Sequence, residues 1–511
     1  MQPSENVLVL DYGSQYNLLI TRRLRECGVF AELVDPDHPW DELSRSSPRA
    51  VILSGGPNSV YDEGAPGLPS GLIESGVPIL GICYGMQLLS RHLGGEVVRG
   101  TVREYGPARF KMKGDNPLFA GLEGEQACWM SHGDRVERLP QGFRELAVTD
   151  SAMAAMGDPD RNYYGLQFHP EVSHTPGGTK LLKNFLELAG CRFEWNAECF
   201  VEATVREIRQ QVGSARVACA LSGGVDSTVA AALVGKAIGD QLICLFVDNG
   251  LLRQGEADQV MESLRETGLH VRKIEAEERF LQALAGVAEP EKKRKIIGEM
   301  FIRVFEQALH EEPDIEYLVQ GTLYPDIVES GHGGKGKAAT IKTHHNVGGL
   351  PEDMKLKLVE PLKTLFKDEV RRVGAELGVP RDILERQPFP GPGMAVRVLG
   401  PVDKTRLDTA RAADHIARSE IFQATMEKHP WQYYAALLPV KSVGVMGDAR
   451  TYADVVAVRA VHSEDAMTAD VARLDWDLLD RIATRIVNEV EGVNRVVYDI
   501  TPKPPGTIEW E

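Results

Sequence analysis

Three side chains that could together cleave an amide bond stand at the ends of apolar runs in this chain. Cys83 lies in the string Gly81-Ile82-Cys83-Tyr84-Gly85, and His169 and Glu171 lie in Phe168-His169-Pro170-Glu171. A cysteine nucleophile needs a base that takes its proton, and the base needs a group that orients it. The residue types and their order therefore make Cys83, His169 and Glu171 candidates for a thiol site.

A second candidate site is the string Ser222-Gly223-Gly224-Val225-Asp226-Ser227, which is followed by Thr228. It comes after an apolar run, and a helix of small apolar residues, Thr228–Ala237, is predicted to follow it. Glycines allow backbone N–H groups to approach phosphate oxygens, and the helix dipole favours an anion. The string lacks the Gly-Lys-Ser/Thr of a Walker A motif. It predicts a cradle for the pyrophosphate part of ATP, with a generic serine-glycine turn as the alternative.

Two aspartates belong to this second site. Asp226 is predicted either to hold Mg²⁺ or to position a phosphate. Asp248 ends the next predicted strand, so we expect it to face the nucleotide, with a solvated loop carboxylate as the alternative. Magnesium bound with ATP is the expected cofactor, because this ion is usually held by one or two carboxylates together with substrate phosphates.

The elements that must position Cys83 are a strand and a helix. Pro78–Ile82 reads as a buried strand, and a helix is predicted to begin near Met86. This turn resembles the G-x-S-x-G nucleophile elbow, with sulfur in place of oxygen. The backbone N–H of Tyr84 is then a candidate oxyanion donor, and Gly56 is the candidate for a second donor.

Short apolar runs alternate with helical patterns in the first 190 or so residues and again after residue 200. Glycine-rich exits from such runs predict parallel sheets, in which ligands bind at the carboxyl ends of the strands. Boundaries are predicted at the aperiodic segment 191–199 and at Pro388–Gly393. The predicted fold is multidomain α/β: two parallel-sheet α/β domains, residues 5–195 and 196–387, and a smaller α+β domain, residues 388–511.

Composition bounds the class of protein. The 511 residues are 43% hydrophobic and 26% charged, which suits several buried cores. The net charge of −17 argues against a general nucleic-acid binder. Seven cysteines without a CxxC pair suggest a reducing compartment. No signal peptide or membrane-spanning run is visible, so we expect no membrane partner and a cytoplasmic location.

Both motifs resemble known families. Gly81–Gly85 together with Phe168–Glu171 is similar to the class I glutamine amidotransferases over roughly residues 5–195. That resemblance implies Cys83 as nucleophile, His169 as base and Glu171 as the group that orients the base, with glutamine as substrate and ammonia as product. Ser222–Ser227 resembles the PP-loop of ATP pyrophosphatases, which cleave ATP between the α- and β-phosphates and adenylate a carbonyl oxygen.

Three further strings narrow the resemblance: Lys342–Pro351, Arg386–Gly393 and the terminal Lys503–Glu511. With both motifs they resemble the glutamine-hydrolysing GMP synthetases over essentially the whole length. The resemblance implies that XMP, ATP and glutamine become GMP, AMP, pyrophosphate and glutamate. It also implies a homodimer formed through residues 388–511.

The same resemblance implies XMP contacts at Lys503 and Glu509, with Arg294 as a further candidate for the phosphate. Without it, Lys503 reads as a solvated tail residue and Arg294 as part of the charged start of a helix, because charge runs usually face solvent.

A glycine- and histidine-rich segment, Gly331–Gly349, is predicted to be a lid that closes over ATP, with Lys342 reaching a phosphate. His344 and His345 could be read as metal ligands, but adjacent side chains point apart in a strand or helix. We therefore assign both histidines to the lid.

Three rival functions fit the sequence less well. An NAD synthetase is disfavoured by the terminal string and the triad-type glutaminase. A tRNA-modifying thiolase is disfavoured by the acidity of the chain and the lack of a CxxC sulfur carrier. A non-catalytic regulatory homologue would have a broken triad, whereas all three residues are present.

Overall fold

The computed structural model describes residues 6–312, 314–331, 356–425, 429–463 and 468–511. The chain divides into two compact units, Met1–Ala203 and Thr204–Glu511. The predicted boundary at 191–199 lies just before this division, and the predicted boundary at 388 lies within the second unit. The lid residues Lys342, His344 and His345 lie outside the described residues, so the lid stays a prediction.

The first unit is built on one nine-stranded sheet. Its elements in chain order are β1 (Val7–Leu10), α1 (Asn17–Glu26), β2 (Ala31–Val34), α2 (Trp40–Leu43), β3 (Ala50–Leu53), β4 (Ile79–Ile82), α3 (Tyr84–His92), β5 (Glu96–Met112), β6 (Glu125–Arg138), β7 (Arg144–Val148), β8 (Met153–Asp158), β9 (Tyr163–Leu166) and α4 (Gly178–Leu188). The helix α5 (Ala197–Val212) spans the division between the units.

The strand order of this sheet is β2-β1-β3-β4-β9-β8-β7-β5-β6. The strands β2, β1, β3, β4 and β9 run parallel, as predicted, and β1, β3 and β4 are buried along their whole length. The remaining strands pair antiparallel. The first sheet is therefore mixed, with antiparallel strands added to the predicted parallel part. The strand β6 alternates buried and less buried positions, the pattern of an antiparallel strand with one solvated face.

The second unit begins with an α/β part. Its elements are β10 (Arg216–Leu221), α6 (Val225–Ile238), β11 (Leu242–Asp248), α7 (Glu256–Glu266), β12 (Val271–Glu275), α8 (Glu277–Leu284), α9 (Pro290–His310), β13 (Ile315–Val319), α10 (Tyr324–Gly331), β14 (Lys357–Val359), α11 (Lys367–Glu376) and α12 (Arg381–Leu384). The sheet order is β12-β11-β10-β13-β14, and every pair is parallel, as predicted. The carboxyl ends of β10 and β11 therefore bring residues 222–228 and Asp248 to the same edge.

The C-terminal part of the second unit is a smaller α+β arrangement, as predicted. Its elements are α13 (Lys404–Ala424), β15 (Gln432–Met446), β16 (Ala449–His462), β17 (Asp470–Val471), α14 (Trp476–Glu489) and β18 (Val493–Asp499). The strand β16 pairs with β15, β17 and β18. One apolar core runs from Val247 and Phe280 to Ile482 and Val493, so the residues on both sides of residue 388 share buried packing.

Within the described residues, every helix is too short or too polar to cross a bilayer.

Candidate functional site

Cys83 occupies a strained turn between β4 and α3. Its φ of 52° and ψ of −106° lie where side-chain-bearing residues are rarely found. Glycine is required on both sides: a Cβ on Gly81 would lie 2.5 Å from the carbonyl carbon of Gly85, and one on Gly85 would lie 2.3 Å from the Leu53 oxygen. The helix begins at Tyr84, two residues before the predicted Met86, so Cys83 itself is the N-cap residue.

The structure brings the three predicted catalytic side chains together. The Nδ1 atom of His169 lies 2.7 Å from Oε1 of Glu171, and the two side chains are 5% and 0% exposed. The His169 imidazole also lies beside Cys83, whose thiol donates to Ser131 O at 3.5 Å. The structure therefore places the predicted nucleophile, base and carboxylate in one cluster.

The electrostatics favour a protonated imidazole in the resting site. Burial lowers the pKa of His169, but the Glu171 carboxylate, which accepts a hydrogen bond from the ring, and the neighbouring Cys83 outweigh burial and raise this pKa to about 10. A base held this way can keep the proton that leaves the thiol and return it later to a leaving group.

Two residues of the site were not found from the sequence. The ring of Tyr16 meets the His169 imidazole edge-on with centroids 5.2 Å apart. Arg23 Nε donates to the backbone oxygen of Glu171 at 3.0 Å. Both residues lie far from the HPE string in the chain, and no local motif marks them.

The two predicted oxyanion donors lie on neighbouring segments. The N–H of Tyr84 is in the first turn of α3, where backbone donors have no intrahelical acceptor. Gly56 follows Gly55, at which a Cβ would lie 3.2 Å from Cε1 of His169. Gly85 N donates to Ser54 O at 3.1 Å, which joins the elbow to this glycine turn.

The second predicted site is a loop closed by its own side chains. Gly224 N donates to Ser222 Oγ at 3.2 Å, and Ser222 Oγ lies 3.1 Å from Ser227 Oγ. Thr228 Oγ1 donates to Gly224 O at 2.9 Å. The helix α6 begins at Val225, three residues before the predicted Thr228, so Val225 and Asp226 belong to its N-terminal turn.

An arginine braces this loop from outside. Arg386 Nη1 donates to Gly223 O at 2.7 Å, while Nη2 lies 2.7 Å from Oε1 of the buried Glu256. Gly223 has a φ of +73°, a conformation suited to glycine. The brace therefore fixes the Gly223 carbonyl of the loop through a hydrogen bond from Arg386.

Asp226 has one engaged carboxylate oxygen and one unengaged oxygen. Oδ2 pairs with Lys367, whereas the buried Oδ1 has no hydrogen-bond partner among the residues described. In the same described ranges, no group of three or more His, Cys, Asp or Glu side chains could hold a metal ion by itself. A single carboxylate beside a phosphate cradle fits Mg²⁺, which often completes its octahedron with phosphate oxygens and water.

Asp248 ends β11 at the same edge of the sheet. Its side chain is 18% exposed and pairs with Lys273 at 2.9 Å, and Lys273 also contacts Glu275 at 2.8 Å. The hydrogen bond that Lys273 donates to Glu275 raises the pKa of Lys273, burial opposes this, and the hydrogen bond that it donates to Asp248 raises this pKa further. The carboxylate is thus held in place beside the loop by a cation.

The predicted XMP contacts Lys503 and Glu509 lie in the C-terminal tail, and the third, Arg294, contacts this tail. Arg294 Nη2 donates to the Glu511 backbone oxygen at 2.6 Å. Glu509 accepts from the fully buried Arg397 at 2.9 Å and 3.2 Å and from Gln432. Lys503 pairs with Ala469 through two backbone hydrogen bonds. The tail therefore folds back onto the second unit.

Comparison with known proteins adds sequence evidence. Residues 8–189 match the family Glutamine amidotransferase class-I, and residues 419–510 match GMP synthase C terminal domain. The curated relative "GMP synthase [glutamine-hydrolyzing]" of Geobacillus kaustophilus is 57% identical over 510 residues, covering 99% of each chain. Relatives with the same name from Caldicellulosiruptor saccharolyticus and Syntrophomonas wolfei are 55% and 56% identical over 511 and 510 residues, again covering 99% of each chain.

Proposed function

The chain belongs to the family of glutamine-hydrolysing GMP synthases, and from this premise we propose that it joins ammonia from glutamine to XMP that ATP has activated. Glutamine, ATP and XMP are the substrates. GMP, AMP, pyrophosphate and glutamate are the products. The observation that carries the proposal is the buried Cys83–His169–Glu171 arrangement in a chain that matches these relatives from end to end.

Glutamine hydrolysis proceeds through a thioester. The Cys83 sulfur attacks the side-chain amide carbon of glutamine, and the N–H groups of Tyr84 and Gly56 stabilise the oxyanion. The His169 imidazolium, held by Glu171, gives its proton to the departing nitrogen, which leaves as ammonia. Water then attacks the thioester carbon, His169 takes a proton from that water, and glutamate leaves as the Cys83 thiol is restored.

Activation of XMP takes place at the second site. The oxygen on C2 of the xanthine ring attacks the α-phosphorus of ATP, and pyrophosphate leaves into the backbone N–H groups of residues 222–228. Lys367 pairs with Asp226, and Arg386 donates a hydrogen bond to the Gly223 carbonyl. These two contacts keep the loop in position for this anion. Magnesium, held by Asp226 and the phosphates, would neutralise charge on the departing pyrophosphate.

Adenylation is needed because an oxygen on a purine ring is a poor leaving group. Once it carries AMP, ammonia attacks C2 and AMP departs, which leaves the amino group of GMP. Lys503, Glu509 and Arg294 are the proposed contacts of XMP, and Lys342, His344 and His345 form the proposed lid that excludes water. Asp248 is proposed to face the nucleotide at the end of β11.

We also propose a homodimer formed through residues 388–511. Within the described part of this region, Val443, Val445 and Tyr452 on β15 and β16 are 60%, 74% and 70% exposed. An apolar patch of this kind on a sheet commonly marks a protein interface. Light scattering on the native chain and on V445D tests this, with a shift toward monomer expected for the variant.

All substrates are small soluble molecules, so we place the reaction in the cytoplasm, without nucleic-acid or membrane partners.

The proposed function is tested by product stoichiometry. The purified chain with glutamine, ATP, XMP and Mg²⁺ should form GMP, AMP, pyrophosphate and glutamate in equal amounts. Leaving out XMP should abolish formation of AMP and pyrophosphate. Formation of ADP instead of AMP, or no consumption of XMP, would refute the assignment of the second site.

A further inference from the structure

We propose that Thr175 is a positioning residue for the base His169, which it holds through a closed cycle of three hydrogen bonds. The inference rests on the proposed glutaminase function and adds to it a residue outside the Cys83–His169–Glu171 group.

The cycle joins one residue of β6 to two residues of the loop between β9 and α4. His169 N donates to Trp129 O at 3.0 Å, Trp129 N donates to Thr175 Oγ1 at 3.1 Å, and Thr175 Oγ1 donates to His169 O at 2.7 Å. The threonine hydroxyl therefore accepts one hydrogen bond and donates another. Thr175 directly holds the backbone oxygen of His169. Trp129, which Thr175 also holds, fixes the backbone N–H of His169.

The cycle is shielded from water. Thr175 is 4% exposed and His169 is likewise 4% exposed, so the hydroxyl cannot readily be replaced by solvent. The intervening segment folds back tightly on itself: Gly178 N donates to Thr175 O at 2.9 Å, and a Cβ on Gly178 would lie 1.8 Å from Pro170 O. Thr175 is thus presented to His169 by a turn with little room to relax.

The His169 imidazole must be positioned for two neighbours at the same time. Nδ1 must face Glu171 while the ring also meets Cys83, and Cys83 itself is fixed at the strained elbow. A small shift of the His169 backbone would lengthen one of these contacts. Misplacement by about 1 Å can lower a rate by about 100-fold, so fixing the backbone is a requirement of the chemistry and not only of the fold.

The test compares T175V, which keeps the shape and removes the hydroxyl, with T175S, which keeps the hydroxyl. T179V, on an exposed threonine four residues away, is the matched control. Each full-length variant is assayed for GMP formation with XMP, ATP and Mg²⁺, fed by glutamine or by ammonium. The rate of Cys83 alkylation by iodoacetamide at pH 7 is measured alongside.

For T175V we expect a fall of about 10- to 100-fold in glutamine-dependent kcat. The KM for glutamine, the ammonium-dependent rate and the behaviour of T179V should stay within about twofold of native, and Cys83 alkylation should slow. T175S should recover most of the native kcat. If T175V is insoluble, T175A replaces it, with the same expectation.

Native glutamine-dependent kcat in T175V, or an equal loss in T175V and T175S, would overturn the inference. An equal fall in ammonium-dependent activity would show a general folding defect and would also count against it. Failure of the native chain to use glutamine at all would instead refute the proposed function, so the two failures are distinguishable.

Discussion

The imidazole of His169 and the carboxylate of Glu171 meet at 2.7 Å, and the carboxylate is completely buried. A buried carboxylate is costly unless a charged or hydrogen-bonded partner compensates it. The carboxylate therefore favours the protonated form of His169, which is the state needed to deliver a proton to departing ammonia. The buried carboxylate and the release of ammonia therefore both favour a protonated His169.

Replacing the Glu171 carboxylate should reverse the direction in which the pKa of His169 is shifted. In E171Q, burial remains and the main opposing charge is lost, so the pKa of His169 should fall from about 10 toward or below its ordinary value of 6.5. Titration of carbon-13-labelled histidines by NMR measures this, with H169N used to assign the resonance. A His169 signal in E171Q that remains protonated at pH 8 would contradict the role given to Glu171.

The same pair predicts a pH-dependent stability difference between native protein and E171Q. The folded pKa of His169 is raised, so its stabilising contribution is complete below about pH 6.5 and is lost as pH rises toward 10. Thermal unfolding midpoints of native and E171Q should therefore differ most near pH 6 and converge near pH 10. A difference that grows with pH would show that another group dominates.

The brace from Glu256 through Arg386 to Gly223 should matter for ATP and not for glutamine. In R386A the Gly223 carbonyl loses its donor, and the buried Glu256 loses one of its cations. We expect the rate of XMP-dependent AMP formation to fall about 10-fold or more, because loss of a charged hydrogen bond costs about 1.5–3 kcal/mol. R381A, on an exposed arginine paired with Glu385, is the matched control. Equal rates in R386A and R381A would exclude the brace.

Removal of the Asp226 charge should weaken the use of magnesium. In D226N, the unengaged Oδ1 loses its negative charge, so a higher Mg²⁺ concentration should be needed for half-maximal AMP formation. K367A separates the pairing of Asp226 with Lys367 from its negative charge, because the variant removes the partner of Oδ2 and keeps the charge. An unchanged Mg²⁺ dependence in D226N would place the ion elsewhere.

The tail residues predict a contrast between two substitutions. K503A should raise the KM for XMP because it removes a proposed substrate contact, while alanine retains the two backbone hydrogen bonds with Ala469. E509Q should raise the KM for XMP and also destabilise the second unit, by about 3 kcal/mol at most, because it weakens the pairing of the buried Arg397. If K503A leaves the KM for XMP unchanged in a stable protein, the substrate does not contact Lys503.

The sequence was sufficient to predict the parts of the sites that lie within one string. Gly81–Gly85 spans the end of the buried strand β4, Ser222–Ser227 follows the strand β10, and their glycines mark the turns that the structure contains. The starts of α3 and α6 were predicted two or three residues too late. The reason is local: the N-terminal turn of each helix carries the functional residues, whose types carry no strong helical pattern.

Contacts between distant segments could not be predicted in this way. Arg386 lies 163 residues from Gly223, Thr175 lies 46 residues from Trp129, and Arg294 lies 217 residues from Glu511. Such pairings depend on how strands and loops pack, which hydrophobic periodicity does not encode. The antiparallel strands β5 to β8 of the first sheet were not predicted for a related reason, since the alternating pattern of a strand such as β6 does not specify its partner.

The central claim is the division of labour between the two sites. It is tested most directly by GMP formation from XMP, ATP and Mg²⁺ in native protein and C83A, each supplied with glutamine or with ammonium. Native protein should use both donors, and C83A should use ammonium at a native rate while losing glutamine-dependent synthesis. Glutamine-dependent GMP formation by C83A at the native rate would contradict the account.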